Sequence, residues 1–328
     1  MKALVTGAAG FLGGYLVEEL LARGYEVRCM ILPGEPLNGL EALPVEIVYG
    51  DVCIIDSLYQ VVTNVDYIYH LAGVKGTFNS RAYGRVNVWG TKNLVKAVLL
   101  AKTHLRRFVF ISSQAASGPS PDGHPLVEEE PCHPLDLYGK SKLSVEKFLL
   151  KNCHKIPISI LRLSTCYGPR NRGPSMIGMT IALTRFGIMP IVGPYVAYMH
   201  IIHVRDGVQG MILAAESEHA VGQTYFITSP TPYTWQDVAK HCFRIWGKRG
   251  IMIPVHRKMV QSGIELARMY RKLRGLPVTG IFQMADYILQ PQWVCSGLKA
   301  KRELGFEPHI SLKKGLEETM RWYTNMKS

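Results

Sequence analysis

Acidic residues are scarce: 25 Asp and Glu stand against 38 Lys and Arg, a formal charge of +13 over 328 residues. Such a surplus suits nucleic acid, an acidic membrane or an anionic substrate. No recognised nucleic-acid motif and no interleaving of basic with aromatic residues accompanies it, so no nucleic-acid partner is expected. Long apolar runs are missing as well. No stretch reaches the roughly 20 uninterrupted apolar residues of a membrane span, although 176–189 and 195–204 are unusually apolar. The opening run, Ala3-Leu4-Val5 ahead of the first glycine, is too short for a signal-peptide apolar region, and a cytoplasmic protein is expected. The seven cysteines (Cys29, Cys53, Cys132, Cys153, Cys166, Cys242, Cys295) form no CxxC pair and no His/Cys spacing suited to zinc. They are expected to be free thiols in a reducing compartment, with no metal site. Internal repeats and low-complexity linkers are lacking too.

What is present can fill a sizeable core: 47% of residues are hydrophobic and only 19% are charged. Short apolar runs at Lys2–Thr6, Glu26–Ile31, Val45–Val48, Asp66–His70, Arg107–Ser112 and Ile158–Leu161 alternate with helical patterns at Phe11–Arg23, Asn87–Lys102 and Tyr138–Asn152. That alternation predicts an α/β fold, a Rossmann-like doubly wound parallel sheet. Beyond Gly173 the pattern breaks up, with shorter candidate helices at Trp235–Trp246, Met259–Arg274 and Leu312–Tyr323. The expected division is a cofactor-binding domain over 1–172, to which 201–229 returns, and a smaller substrate-binding portion over 173–200 and 230–328.

Thr6-Gly7-Ala8-Ala9-Gly10-Phe11-Leu12-Gly13 directly follows the first strand and opens the first helix, the context a dinucleotide fingerprint requires. Gly7 would permit the tight turn, Gly10 the approach of the pyrophosphate and Gly13 close helix packing. The cofactor expected is NAD or NADP. The second strand ends in Arg28-Cys29-Met30-Ile31-Leu32 with no acid for a ribose 2′-hydroxyl, so the choice stays open. Arg28 could meet a 2′-phosphate, but a solvated strand residue is the preferred reading. Asp51, after the third strand, would accept from the adenine amino group or cap a helix.

Tyr138 and Lys142 lie four apart at the start of a predicted helix and so share one face. An ammonium there would stabilise the phenolate and lower a pKa ordinarily near 10. Ser112-Ser113 closes the fifth predicted strand.

With these motifs in this order the chain resembles the extended short-chain dehydrogenases/reductases, the group of NAD-dependent epimerases/dehydratases and 3β-hydroxysteroid dehydrogenases. The resemblance spans nearly the whole length. It rests on TGAAGFLG at 6–13, Asp51-Val52, His70-Leu71-Ala72-Gly73, Asn87-Val88-Trp89-Gly90-Thr91, Ser112-Ser113, Tyr138 with Lys142, and Arg162 leading to Tyr167-Gly168-Pro169-Arg170. It implies that Tyr138 is the acid/base, Lys142 holds the nicotinamide ribose and lowers the Tyr138 pKa, and Ser113 orients the substrate oxygen. It also implies cofactor contacts at Gly7, Gly10, Phe11, Leu12, Gly13, Asp51, Val52, Leu71, Ala72, Gly73, Asn87, Ser112, Leu163 and Thr165, besides Tyr138 and Lys142. A homodimer through the helices beginning near Asn87 and Tyr138 is implied as well.

Departures from the group narrow the substrate. Gln114 and Ala115 stand where dehydratases and decarboxylases resemble one another in placing carboxylates, and Thr165 and Met199 stand where nucleotide-sugar enzymes commonly have Asn and Arg. A charged diphosphate needs donors and cations, whereas 176–204 is rich in Met, Ile, Val and Tyr, as either a pocket lining or plain core. The expected activity is hydride transfer at a secondary alcohol or ketone of an apolar, sterol-, isoprenoid- or flavonoid-like substrate. The alternatives are a nucleotide-sugar 4-epimerase, with Arg170, Arg172 and Arg185 as substitute diphosphate contacts, and a non-catalytic NAD(P)-sensing regulator. Arg257–Arg274 carries six basic residues against Glu265. It reads as a solvated basic face or as a peripheral membrane contact.

Overall fold

Alternate residues of a strand face opposite sides of a sheet, and here both sides are buried. Ala3 and Val5 enter one apolar core with Tyr69, Val109, Ile111 and Leu161, while Leu4 enters the other with Ile68, Phe108, Phe110 and Ile160. Two-sided burial is why β1 (Lys2–Thr6), β2 (Glu26–Ile31), β4 (Tyr67–His70), β5 (Arg107–Ser113) and β6 (Ile158–Leu163) read as continuous apolar runs, whereas β3 (Glu46–Tyr49), at the sheet edge, is only half-buried at its centre. A computed structural model describes residues 1–328 except 78, 174, 194–196, 275, 277–286, 291 and 326–328. Parts of the expected substrate-binding portion, 277–286 among them, therefore lie outside the described residues.

The six strands join a seventh, Gln223–Ile227, in one parallel sheet of order Gln223–Ile227, β6, β5, β4, β1, β2, β3. The Rossmann-like doubly wound fold is thus present. Helices Phe11–Ala22 and Val204–Glu216 cover the Ala3/Val5 face, and Thr91–Leu100 and Leu137–Lys151 cover the Leu4 face. Strand order reverses between β1 and β4, which opens a crevice at the carboxyl ends of those strands.

Two local expectations fail for clear reasons. Arg28 is neither solvated nor turned toward a cofactor. It is 7% exposed, its Nε donates to Glu46, and its Nη1 donates to the carbonyls of Gln60, Val61 and Thr63. A guanidinium with five donors satisfies the end of the short helix Tyr59–Val62 more fully than water could. The helix predicted to start at Asn87 begins earlier, at Ser80, and runs through π-helical turns over Tyr83–Gly90 before α-geometry resumes at Thr91. The wider turns turn Asn87 onto Val74 and Ser141 and bring Gly90 against Val52, where a Cβ would meet Cγ2 at 2.6 Å.

The apolar stretch from residue 176 is largely a second core. Ile177, Ile181, Met199 and Ile201 pack with Val238, Leu316 and Met320 from the helices Trp235–Ile245 and Leu312–Asn325. The first of these helices starts with a capping box, Thr234 and Asp237 exchanging side-chain and backbone bonds.

Candidate active site

The loop from Gly7 to Gly13 owes its shape to close backbone contact. Gly7 has φ +70°, and a Cβ on Gly13 would lie 2.1 Å from the Gly7 carbonyl oxygen. Gly10 is the N-cap of the helix Phe11–Ala22, with no side-chain cap and no acid in the first turn. The N–H groups at Phe11 and Leu12 therefore have no partner within the helix, and their dipole favours an anion. Gly10 is exposed, so a phosphate can approach. These residues fit a dinucleotide pyrophosphate. Asn38, which sequence reasoning missed, braces the loop by donating to the Ala9 carbonyl at 3.0 Å.

Behind the loop, His70 is fully buried between Thr6 on β1 and Thr91, at 2.7 and 2.8 Å. Thr91 spends its one proton on the Asn87 carbonyl, so His70 Nε2 must carry the proton that reaches it. Nδ1 then accepts from Thr6, whose oxygen also accepts from the Ala72 amide. Burial pushes the His70 pKa down to about 3, which keeps the ring neutral. Sequence singled out the His70–Gly73 run; its physical use is to tie Leu71 and Ala72 to β1. Asn87 continues the bracing, exchanging two bonds with the Val74 main chain and donating to Ser141 at 3.0 Å. Asn87 is 3% exposed, so its side chain positions the 73–74 loop and the neighbouring helix.

Asp136 caps the helix Leu137–Lys151, accepting from the Gly139 amide at 2.7 Å. That cap sets Tyr138 in the first turn and Lys142 one turn on. The Lys142 Nζ lies 5.9 Å from the Tyr138 ring centroid, stands over Phe110 at 4.7 Å and donates to the Ile111 carbonyl at 2.7 Å. Ser113, at the end of β5, accepts from the Ala115 amide, which leaves its proton for the Tyr138 oxygen. The three predicted catalytic residues therefore meet in one place. The expected lowering of the phenol does not hold in this geometry. Burial pushes Tyr138 up to about 12, opposed by the Ser113 hydrogen bond. Lys142 itself is held down to about 8, mainly by burial and also by Lys75, while Glu146 works the other way. The Lys142 ammonium is bonded to the Ile111 carbonyl rather than to the phenol oxygen.

Lys75 is a second cation that sequence reasoning missed: its Nζ is 6.0 Å from the Tyr138 ring centroid. The signal was its place just past the end of β4, beside the switch point where such residues face ligand. Tyr83, from the π-helical turn, adds a ring at 6.3 Å.

The remaining predicted residues spread along the crevice or behind it. Asp51 accepts from the Cys53 amide, and Val52 is buried against Gly90. Leu163 ends β6 opposite Ser113, and Thr165 lies exposed just beyond. Ser112 points away, its hydroxyl bonded to Glu146 in a buried cluster completed by Arg162 at 2.8 Å. Only its main chain is left for a cofactor. Strand alternation decides this, since Ser112 and Ser113 face opposite sides of β5.

The sequence profile of the NAD dependent epimerase/dehydratase family matches residues 3–227. A 3-beta-hydroxysteroid dehydrogenase of Mycolicibacterium neoaurum is 28% identical, with 99% of this chain and 92% of that protein aligned. A 4-hydroxy-2-methyl-3-oxo-4-farnesyl-3,4-dihydroquinoline-1-oxide ketoreductase of Stigmatella aurantiaca is 25% identical over 97% and 95% of the two chains. Among solved structures, a UDP-glucuronic acid 4-epimerase of Bacillus cereus, in complex with UDP-glucuronic acid and NAD, superposes with a TM-score of 0.79 at 26% identity, covering 99% of this chain and all of the other. A glycine loop shaped for a pyrophosphate, a crevice at the strand-order reversal and these likenesses agree: the chain belongs to the NAD dependent epimerase/dehydratase family, among the extended short-chain dehydrogenases/reductases, and is an NAD(P)-dependent enzyme.

Proposed function

We propose that the protein oxidises a secondary alcohol or reduces a ketone in an apolar molecule, sterol-, isoprenoid- or flavonoid-like, using Tyr138, Lys142 and Ser113. The observation that carries this reading is the meeting of Ser113, Tyr138 and Lys142 at the carboxyl end of β5. A bound nicotinamide supplies or takes the hydride. The protein's own part is proton handling: Ser113 holds the substrate oxygen, and the Tyr138 hydroxyl gives or takes the proton there. The phenol holds its proton at neutral pH, so it can give that proton to a carbonyl oxygen in reduction and must first lose it to act in oxidation. In this reading the cofactor lies along Gly7, Gly10, Phe11, Leu12 and Gly13, past Asp51 and Val52 to Leu71, Ala72 and Gly73, and then to Leu163 and Thr165. NAD and NADP remain alternatives. Residues 1–172 with 201–229 form its cofactor unit, and 173–200 with 230–328 the substrate side.

A 4-epimerase acting on a nucleotide sugar draws support from the shared fold. It is weakened at the proposed diphosphate contact, because Arg170 is held by both carboxylate oxygens of Glu18 and stacks on Tyr15 at 3.7 Å. Intact catalytic groups argue against a pure sensor. Homodimerisation is supported by Trp89, Leu100 and Leu137, which stand exposed on the helices beginning near Asn87 and Tyr138.

The test is to purify the protein without added cofactor and identify any nicotinamide released on denaturation. Reversible binding to empty protein, with turnover of an apolar ketone falling at least ~100-fold in Tyr138→Phe while cofactor still binds, supports the proposal. Near-equal release of tightly held NAD supports the epimerase instead.

A further inference from the structure

The helix Arg257–Leu273 buries none of its residues. Val260, Ile264 and Ala267 turn inward and are half-buried. Met259, Leu266 and Leu273, seven residues apart, share another face with Met269 and Tyr270. All five are between 55% and 80% exposed. A second apolar face adjoins the helix in the chain. The parallel strands Ile188–Val192 and Ile251–Val255 bury Met189 against Ala239 and Phe243 on one side, while Ile188, Ile251 and Ile253 stand exposed, with Phe186 just before them. An exposed apolar area of this kind marks a contact surface.

Charge selects the occupant. The helix carries Arg257, Lys258, Arg268, Arg271 and Lys272, with Arg274 as its C-cap, against Glu265 alone, and the whole chain is at +13. Pairing two such helices from two copies would bring like charges together, whereas an anionic lipid surface accepts the apolar stripe together with the exposed Lys258, Lys272 and Arg274. We infer that the helix Arg257–Leu273 and the adjoining strand pair dock the protein on an anionic membrane, with Met259, Leu266, Met269 and Leu273 entering the headgroup boundary. On the inner side of the same helix Arg257, Gln261, Ile264, Glu265 and Arg268, with Leu289 and Gln290, line an open cleft of about 370 Å³. Tyr287, just before them, stacks on Trp293 at 4.4 Å. Resting on the apolar-substrate reading, docking there brings the protein to the phase that holds such substrates.

The experiment is co-sedimentation of the full-length protein with vesicles of phosphatidylcholine and phosphatidylglycerol in equal parts, and with phosphatidylcholine alone. Binding is expected on the anionic vesicles and should weaken as salt rises. Leu266→Ser combined with Leu273→Ser should weaken it at least ~10-fold, and Lys258→Gln about fivefold. Wild-type protein that stays in the supernatant overturns the inference, as does binding that neither variant changes. A dimer that the double variant dissolves, without vesicle binding, also overturns it and assigns the stripe to a second copy. Turnover is not read, so failure here leaves the redox proposal standing.

Discussion

Lys142 is a charge placed where the fold does not favour one, and removing it should make the protein more stable. The ammonium is 5% exposed, and its pKa falls from an ordinary 10.5 to about 8. That gap corresponds to roughly 3 kcal/mol of burial cost at neutral pH. Lys142→Met removes the cost but also the bond from Nζ to the Ile111 carbonyl, worth about 1 kcal/mol, for a net gain of about 2 kcal/mol. With cofactor absent, the variant should melt about 4 °C above wild type at pH 7, while its turnover is lost. The pH dependence separates this cause from better packing. Below pH 8 the folded and unfolded chains both hold the proton, and the full cost is present. Between about pH 8 and 10.5 the folded state gives up the proton while the unfolded state keeps it, so wild-type stability rises with pH relative to the variant. The assay is thermal or denaturant unfolding of both proteins across that range. A variant less stable than wild type at pH 7, or a difference that does not change with pH, refutes the reasoning.

Glu146→Gln should cost about 3–5 kcal/mol, since it leaves the Arg162 guanidinium buried without its carboxylate. It should also move any alkaline limb of kcat/KM that reports Lys142 to lower pH, because Glu146 supports the charged form. Unfolding and pH–rate profiles check the two halves separately. Gly13→Ala forces a Cβ to within 2.1 Å of the Gly7 carbonyl and should weaken dinucleotide binding roughly tenfold or more, measured by nicotinamide fluorescence titration. Arg28→Leu should destabilise by about 3 kcal/mol, since it strips the donor from three carbonyls. The preference between NAD and NADP should not move; a clear change in that ratio would return Arg28 to the cofactor.

The strands and the glycine loop were legible because their cause is local. A parallel strand buried on both faces must be an apolar run, and a loop that crosses its own helix start needs glycine at fixed intervals. Tyr138 and Lys142 were legible for the same reason, because spacing on a helix sets their common face. Arg28 was misread because a strand residue between a buried valine and a buried cysteine gives no sign of three carbonyls waiting from residues 60–63. The stretch from 176 was ambiguous because lining and core have the same composition; only the partners Val238, Leu316 and Met320 make it core.

From the sequence alone came the parallel α/β architecture and the dinucleotide loop, set by periodicity and spacing within single elements, and, through the family resemblance, the proposed catalytic groups. Tertiary structure decided what depends on distant segments meeting. It buries Tyr138 enough to raise its pKa, brings Lys75 within 6.0 Å of the phenol ring and turns Ser112 toward Glu146. It also leaves the apolar stripe of Arg257–Leu273 exposed. Desolvation and the distances between charges are properties of the packed chain, and no local pattern encodes them.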